Sequence, residues 1–179
     1  SFCKGRVMTM REFVITTDSN SDLPINYIEE NHIGVIPHYY MVEDEVYGDD
    51  KELTIKEFYD AMRCQKKVGT MASNPAVIEE TFLKYEKEGK DVLHISFSSA
   101  LSGGCSNVQM VASQIMEEYP QMKIVVIDTL SVSLGEALMI MKAVALKKEG
   151  MSLEETVDCL NQMIPHLCVQ FTVDDLNHL

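Results

Sequence analysis

A chain of 179 residues that is 46% hydrophobic and 24% charged has the length of one medium domain and the make-up of a globular protein with a sizeable core. Its net charge of −13, with no Lys/Arg cluster set against it, excludes a nucleic-acid surface and leaves any anionic ligand to local amides and hydroxyls. No apolar run approaches the ~20 residues of a membrane span and no apolar signal segment opens the chain, so the expected location is the cytoplasm.

Residues 1–10 carry no periodicity and read as a leader or remnant ahead of a domain over 11–179. The five cysteines are odd in number, form no CxxC pair and stand apart from isolated histidines, which points to reduced thiols and to no metal site. Phe13, Val14 and Ile15 form a short strand ending in the cap-rich loop Thr16 to Pro24. In that loop Asp22 reads as the cap of a helix from Pro24 to Asn31, while Asp18 and Ser19 remain open to a ligand role. Gly34 to Tyr40 and Met41 to Tyr47 read as strands around an acidic hairpin tip at Glu43, Asp44 and Glu45.

Thr54 and Glu57 make a capping box for a helix to Arg63. Gly69 to Pro75 is a polar loop containing Thr70, and Pro75 then suits the first position of a helix with Ile78, Phe82 and Tyr85 on its apolar face.

Asp91 to Ser106 is the stretch around which the other elements arrange themselves. A buried-strand run (Val92, Leu93, Ile95, Phe97) breaks into serines and paired glycines and resumes at helical spacing with Val108, Val111, Ala112 and Ile115. In open α/β sheets such a strand-loop-helix junction forms a ligand crevice, and the helix amides favour an anion. Ser98, Ser99 and Ser102 bring hydroxyls to that mouth, and Gly103 and Gly104 let a ligand approach the backbone. The bland alternative is a turn with serine caps. Cys105 reads as a small filler, since no histidine is placed by sequence to activate it.

Lys123 to Asp128 is a continuous apolar strand of the parallel kind. A Ser/Thr loop follows to Gly135, then a long helix to about Lys148, closed by Gly150. Ser152 and Glu155 form a second capping box, for a helix toward Ile164. Cys168 to Val173 reads as a last strand, with another element starting at Asp174-Asp175-Leu176. Alternating strand and helix predicts a three-layer α/β lobe with a mainly parallel sheet of about five strands, near Val14, Val35, Leu93, Val126 and Phe171. Among the 12 methionines, Met110, Met116, Met139 and Met141 suit either an adaptable cavity wall or plain core.

With these loops in view the chain resembles the DegV family, bacterial proteins that bind a fatty acid. The resemblance runs from about Arg11 to Leu179. It is carried by TTDSNSDLP (Thr16 to Pro24), VIPHYY (Val35 to Tyr40), the Thr70 loop, FSSALSGG (Phe97 to Gly104), VVIDTLSVSLGEAL (Val125 to Leu138) and FTVDDLNHL (Phe171 to Leu179). It implies carriage of a long-chain fatty acid, with the acyl tail in an apolar cavity and the carboxylate at Thr70 and Ser102, presented to a fatty acid kinase for acyl-phosphate formation. No cofactor beyond the bound fatty acid is implied, and no catalytic residue. Two departures thin the hydroxyl network, because Met71 stands where the family usually has Ser and Gly104 where it usually has Thr. Family members continue into a second α/β domain that supplies a His and an Arg, so this chain reads as the first lobe alone and as a possible homodimer through the face so exposed. The competing reading is an enzyme of phosphosugar isomerase or esterase type on the same serine-rich loops. It would need a general base, and its candidates are His38 and His94; His94 alternates with Leu93 and Ile95 and is expected on the opposite sheet face, in a structural role.

Overall fold

The computed structural model describes residues 11–48 and 51–172. Four parallel strands form the central sheet in the order β2-β1-β6-β7: β1 (Phe13–Asp18), β2 (Gly34–Ile36), β6 (Asp91–Ser96) and β7 (Ile124–Asp128). Side chains alternate across a strand, and here both sets are apolar, so both faces of the sheet must be covered. On one face Phe13, Ile15, Leu93, Ile95 and Ile127 pack with Met139, Ile140, Ala143 and Val144 of α5 (Leu134–Lys148) and with Leu153 and Leu160 of α6 (Leu153–Met163). On the other, Val14, Val92, Ile124 and Ile36 meet Ile78, Phe82 and Tyr85 of α3 (Pro75–Lys87) and Val108, Val111, Ala112 and Ile115 of α4 (Gly104–Glu118). Each fully buried aliphatic or aromatic side chain contributes about 1.5–3 kcal/mol, and these two layers hold the lobe together.

Local signals start the helices. The reciprocal bonds of the capping box are present at Thr54–Glu57 for α2 (Ile55–Arg63) and at Ser152–Glu155 for α6. Asn74 Oδ1 accepts from the Ala76 amide at 3.0 Å beside Pro75 at the start of α3. The short helix α1 (Ile25–Glu30) is different: its N-cap is Pro24 with no side-chain cap, and Asp22 takes a left-handed φ of 52° after a 3-10 turn over Ser19–Ser21. Asp22 therefore does not cap α1.

The run Gly34 to Tyr40 is split. Pro37 lacks an amide proton and interrupts the ladder, so Gly34–Ile36 joins the parallel sheet while β3 (Tyr39–Val42) turns away into a small antiparallel sheet of order β4-β3-β5. β4 (Glu45–Tyr47) is the return of the hairpin whose tip is Glu43 and Asp44. β5 (Val68–Met71) pairs antiparallel with β3, with Thr70 opposite Tyr40, so Thr70 lies in a strand and not in a loop. Thr16, Thr17 and Asp18 likewise belong to β1, fully buried. The last expected strand is absent among the described residues: 168–172 have no strand pairing, and Phe171 is 75% exposed. Residues 167–171 instead run past the β7–α5 loop, where Val169 and Phe171 line a groove with Leu101 and Leu130. The expected leader over 1–10, Val173 and the element from Asp174 lie outside the described residues.

Candidate functional site

The strand register brings the mouth together. Thr17 pairs with Ile95, Asp18 with Ile36 and Ser96 with Asp128, so the carboxyl ends of all four strands reach one level and their loops open on the same side. This is where an open parallel sheet binds its ligands.

Asp18 organises the centre of this mouth. Its Oδ2 accepts from the Phe97 amide at 2.8 Å and from Ser96 Oγ at 3.1 Å. Its Oδ1 lies 3.6 Å from His94 Nε2 and 4.0 Å from His38 Nδ1. Burial alone would raise the Asp18 carboxyl, but the nearby His94 ring, the Phe97 amide and the charge of His38 outweigh it and hold the group below its ordinary value. Asp18 is thus an anion at neutral pH. His94 is fully buried, edge-on to Phe82, with Nδ1 at 2.9 Å from Thr16 Oγ1. It faces away from Leu93 and Ile95, as the alternation requires, and its ring has no exposed surface.

The β6–α4 turn carries the serines. Ser98 is buried, donates its amide to the Ser131 carbonyl at 3.0 Å and accepts from the Ala100 amide at 3.3 Å. Ser99 is exposed, and its amide donates to Asp128 Oδ1 at 3.1 Å. Ser102 Oγ accepts from the Gly104 amide at 3.1 Å. Gly103 is the N-cap of α4 with a helical φ of −72°, and a side chain there would meet nothing within 4 Å. The close approach occurs at Gly104, where an added Cβ would lie 3.1 Å from His38 Nε2 and 3.5 Å from Ser102 Oγ. Cys105 follows, buried and with its thiol pushed up by that burial; it packs as a filler.

The two loops at the mouth are tied together. Asp128 Oδ1 also accepts from the Leu130 amide at 3.1 Å, and Leu130 and Ser133 both take a left-handed φ of 49°, which non-glycine residues adopt only under constraint. Gly135 packs closely here: an added Cβ would stand 1.9 Å from Ser131 Oγ and 2.5 Å from Val169 Cγ2, so both side chains would have to move. Beside this loop lies an apolar groove of about 240 Å³, bounded by Leu101, Leu130, Val132, Leu167, Val169 and Phe171.

Asp18 and Ser19 are brought to the β6–α4 turn: Ser19 Oγ accepts the His38 amide at 2.9 Å, which draws the Pro37–His38 bend over the mouth. Thr70 is exposed in the second sheet, opposite Tyr40 of β3, and its downstream loop ties that sheet to the mouth. There Ser73 Oγ donates to the Pro37 carbonyl at 2.9 Å and Asn107 Nδ2 donates to the Ser73 carbonyl at 3.4 Å. Sequence reasoning missed Ser96 and Glu136, the latter fully buried against Thr17 at 2.8 Å. Its only signal is an acidic residue set among the apolar positions of GEALMIM. Of the four methionines, Met139 is core and Met116 part-buried, while Met110 and Met141 are about half exposed, so none lines the groove. Among the described residues no cluster of three His, Cys, Asp or Glu could hold a metal, and no helix is long and apolar enough to cross a membrane.

A parallel α/β lobe with a hydroxyl- and amide-lined mouth at the carboxyl ends of its strands is of the open-sheet class. The DegV family model matches residues 12–179, and the chain belongs to the DegV family. It is 35% identical over 175 residues to a DegV domain-containing protein of Clostridium perfringens, covering 95% of this chain and 59% of that protein. A DegV domain-containing protein of Lactococcus lactis is 35% identical over 169 residues, 93% of this chain and 58% of the relative. The chain thus spans less than two thirds of the length of these relatives. Among solved structures, a DegV family protein from Thermus thermophilus described for its fatty acid binding superposes with a TM-score of 0.78 at 29% identity, over 87% of this chain and 54% of that one. A DegV lipid-binding protein from Thermotoga maritima superposes with a TM-score of 0.75 at 25% identity, over 87% and 55%.

Proposed function

We propose that this lobe binds a long-chain fatty acid, with the carboxylate at the β6–α4 turn and the acyl tail leaving along the apolar groove, and that it presents the carboxylate to a fatty acid kinase. One observation carries the reading: Leu101 lines the groove and its neighbour Ser102 places a hydroxyl on the first amide of α4, so an apolar path and an anion-binding helix end meet at adjacent residues. The fatty acid binding described for the Thermus relative supports it. Ser102 and Thr70 are the proposed carboxylate donors, with Ser98, Ser99, Gly103, Asp18 and Ser19 shaping the mouth. The reading assigns no catalytic residue to this chain.

Mass spectrometry of lipids extracted from the purified protein is expected to find a fatty acid. A charge-assisted bond covered by the bound acid is worth about 1.5–3 kcal/mol, so Ser102→Ala or Thr70→Ala is expected to weaken binding at least about ten-fold in a titration. The methyl ester of the same acid should bind poorly and be indifferent to both changes. Full affinity in both variants, or an ester that binds as well as the acid, would remove the carboxylate from this site.

The groove, at about 240 Å³, is below the ~300–1,000 Å³ of sites that enclose a whole ligand. Leu101, Leu130 and Phe171, which line it, are each more than half exposed. Such a patch is expected to drive self-association of the chain, which sedimentation velocity over a wide concentration range checks; a clean monomer throughout would count against it.

A further inference from the structure

We propose that His38 is a positioning residue for the bound head group, taking up a proton when a carboxylate arrives at the amino end of α4 and so linking Asp18 to the ligand through its ring. The inference rests on the carboxylate reading given above. Three features of the molecule lead to it.

The His38 side chain is only 9% exposed, and neither ring nitrogen has a hydrogen-bond partner among the described residues. Unpartnered buried polar atoms in a native site call for a missing partner. The two nitrogens also face different things. Nδ1 looks toward Asp18 Oδ1, itself unpartnered, and Nε2 lies against Gly104, the first residue of the 15-residue α4, close to the point that Ser102 Oγ also approaches. The ring therefore stands between a fixed buried anion and the place where a second one is proposed to bind. Its position is held from outside the ring: Ser19 Oγ accepts its amide, Phe97 packs on it at 5.9 Å between ring centroids, and Ser73 fastens the preceding Pro37.

The titratable groups acting on the ring are Asp18 from β1 and His94 from β6. Burial lowers the imidazole below its ordinary value and the Asp18 charge only partly offsets it. In the ligand-free lobe His38 is therefore neutral at pH 7. A carboxylate beside Nε2 adds an opposite charge on the far side of the ring and favours the imidazolium. Binding then consumes a proton. The sign follows: affinity is greatest below the ligand-free pKa and falls as pH rises through the ligand-bound one, by at most about ten-fold per pH unit.

The test uses the 179-residue chain and decanoate as the probe, titrated between about pH 7.5 and 5.5, above the range where the probe's own carboxyl protonates. For the parent protein, affinity is expected to rise toward about ten-fold per unit as pH falls. His38→Gln keeps a donor of similar reach but cannot ionise, so its binding should be nearly flat with pH, while the fold persists. In the same samples the His38 Cε1–H resonance should titrate at higher pH with decanoate than without. If the parent binds decanoate with the same pH slope as His38→Gln, or the resonance does not move, His38 has no such role and the Ser102 reading stands alone. If the parent does not bind decanoate at any pH, the carboxylate reading fails and this inference with it.

Discussion

Replacing Phe82 by Ala is expected to lower the stability of the lobe by about 3–5 kcal/mol, the usual range for emptying an aromatic site in a packed core. Phe82 is fully buried, in the cluster with Ile78, Val92, Val108 and Ile36 that joins α3 and α4 to the sheet. Its ring also closes the face of His94 at 6.0 Å between centroids. The truncation therefore opens a void beside the Asp18–His94 pair, and water entering there weakens a contact that depends on a dry surrounding. Urea denaturation should show a lower midpoint with little change in slope. Phe82→Leu retains most of the volume and should lose clearly less. An unchanged midpoint for Phe82→Ala would mean that this layer does not hold the sheet.

Glu136→Gln is expected to stabilise the protein at neutral and mildly alkaline pH by up to a few kcal/mol and to flatten its pH dependence. Burial pushes the Glu136 carboxyl up to about 8, the bond to Thr17 only partly opposing it. The proton count agrees. Thr17 Oγ1 is 2.9 Å from the Ile95 carbonyl and 2.8 Å from Glu136 Oε1, and a hydroxyl has one proton to give. With that proton on the carbonyl, which only accepts, the second contact is completed by a carboxylic-acid proton from Glu136. Because the folded-state pKa lies above the unfolded one, the folded state binds the extra proton. The stability it contributes is fully present below about pH 4.5 and is lost as pH rises to about 8, at no more than about 1.4 kcal/mol per unit. Glutamine stays neutral throughout. Thermal unfolding of both proteins from pH 5 to 9 checks this: parallel curves would show that Glu136 is already ionised in the folded lobe.

Local chemistry was enough to read the helices and the central strands. Both capping boxes, the Asn74–Pro75 start, the β6 run and the apolar β7 run express preferences of neighbouring residues, and the alternation of apolar positions already implied a sheet covered on both faces. The order of the resembling segments was likewise legible, as was the placement of Ser98, Ser99 and Ser102 at the end of a strand. Tertiary structure decided the rest, because it depended on partners distant in sequence. Thr70 became a strand residue because β3 offers it a pairing edge 30 positions away. Asp22 lost its capping role to Pro24 once Ser19–Ser21 wound into a turn. Residues 168–172 read as a strand from composition alone, yet a ladder needs a partner, and this segment runs along the groove instead. The buried group of Asp18, His38, His94 and Glu136 joins residues up to 118 positions apart; no spacing rule links them, and the register of the parallel strands, the bend at Pro37 and the packing of α5 on β1 make them neighbours.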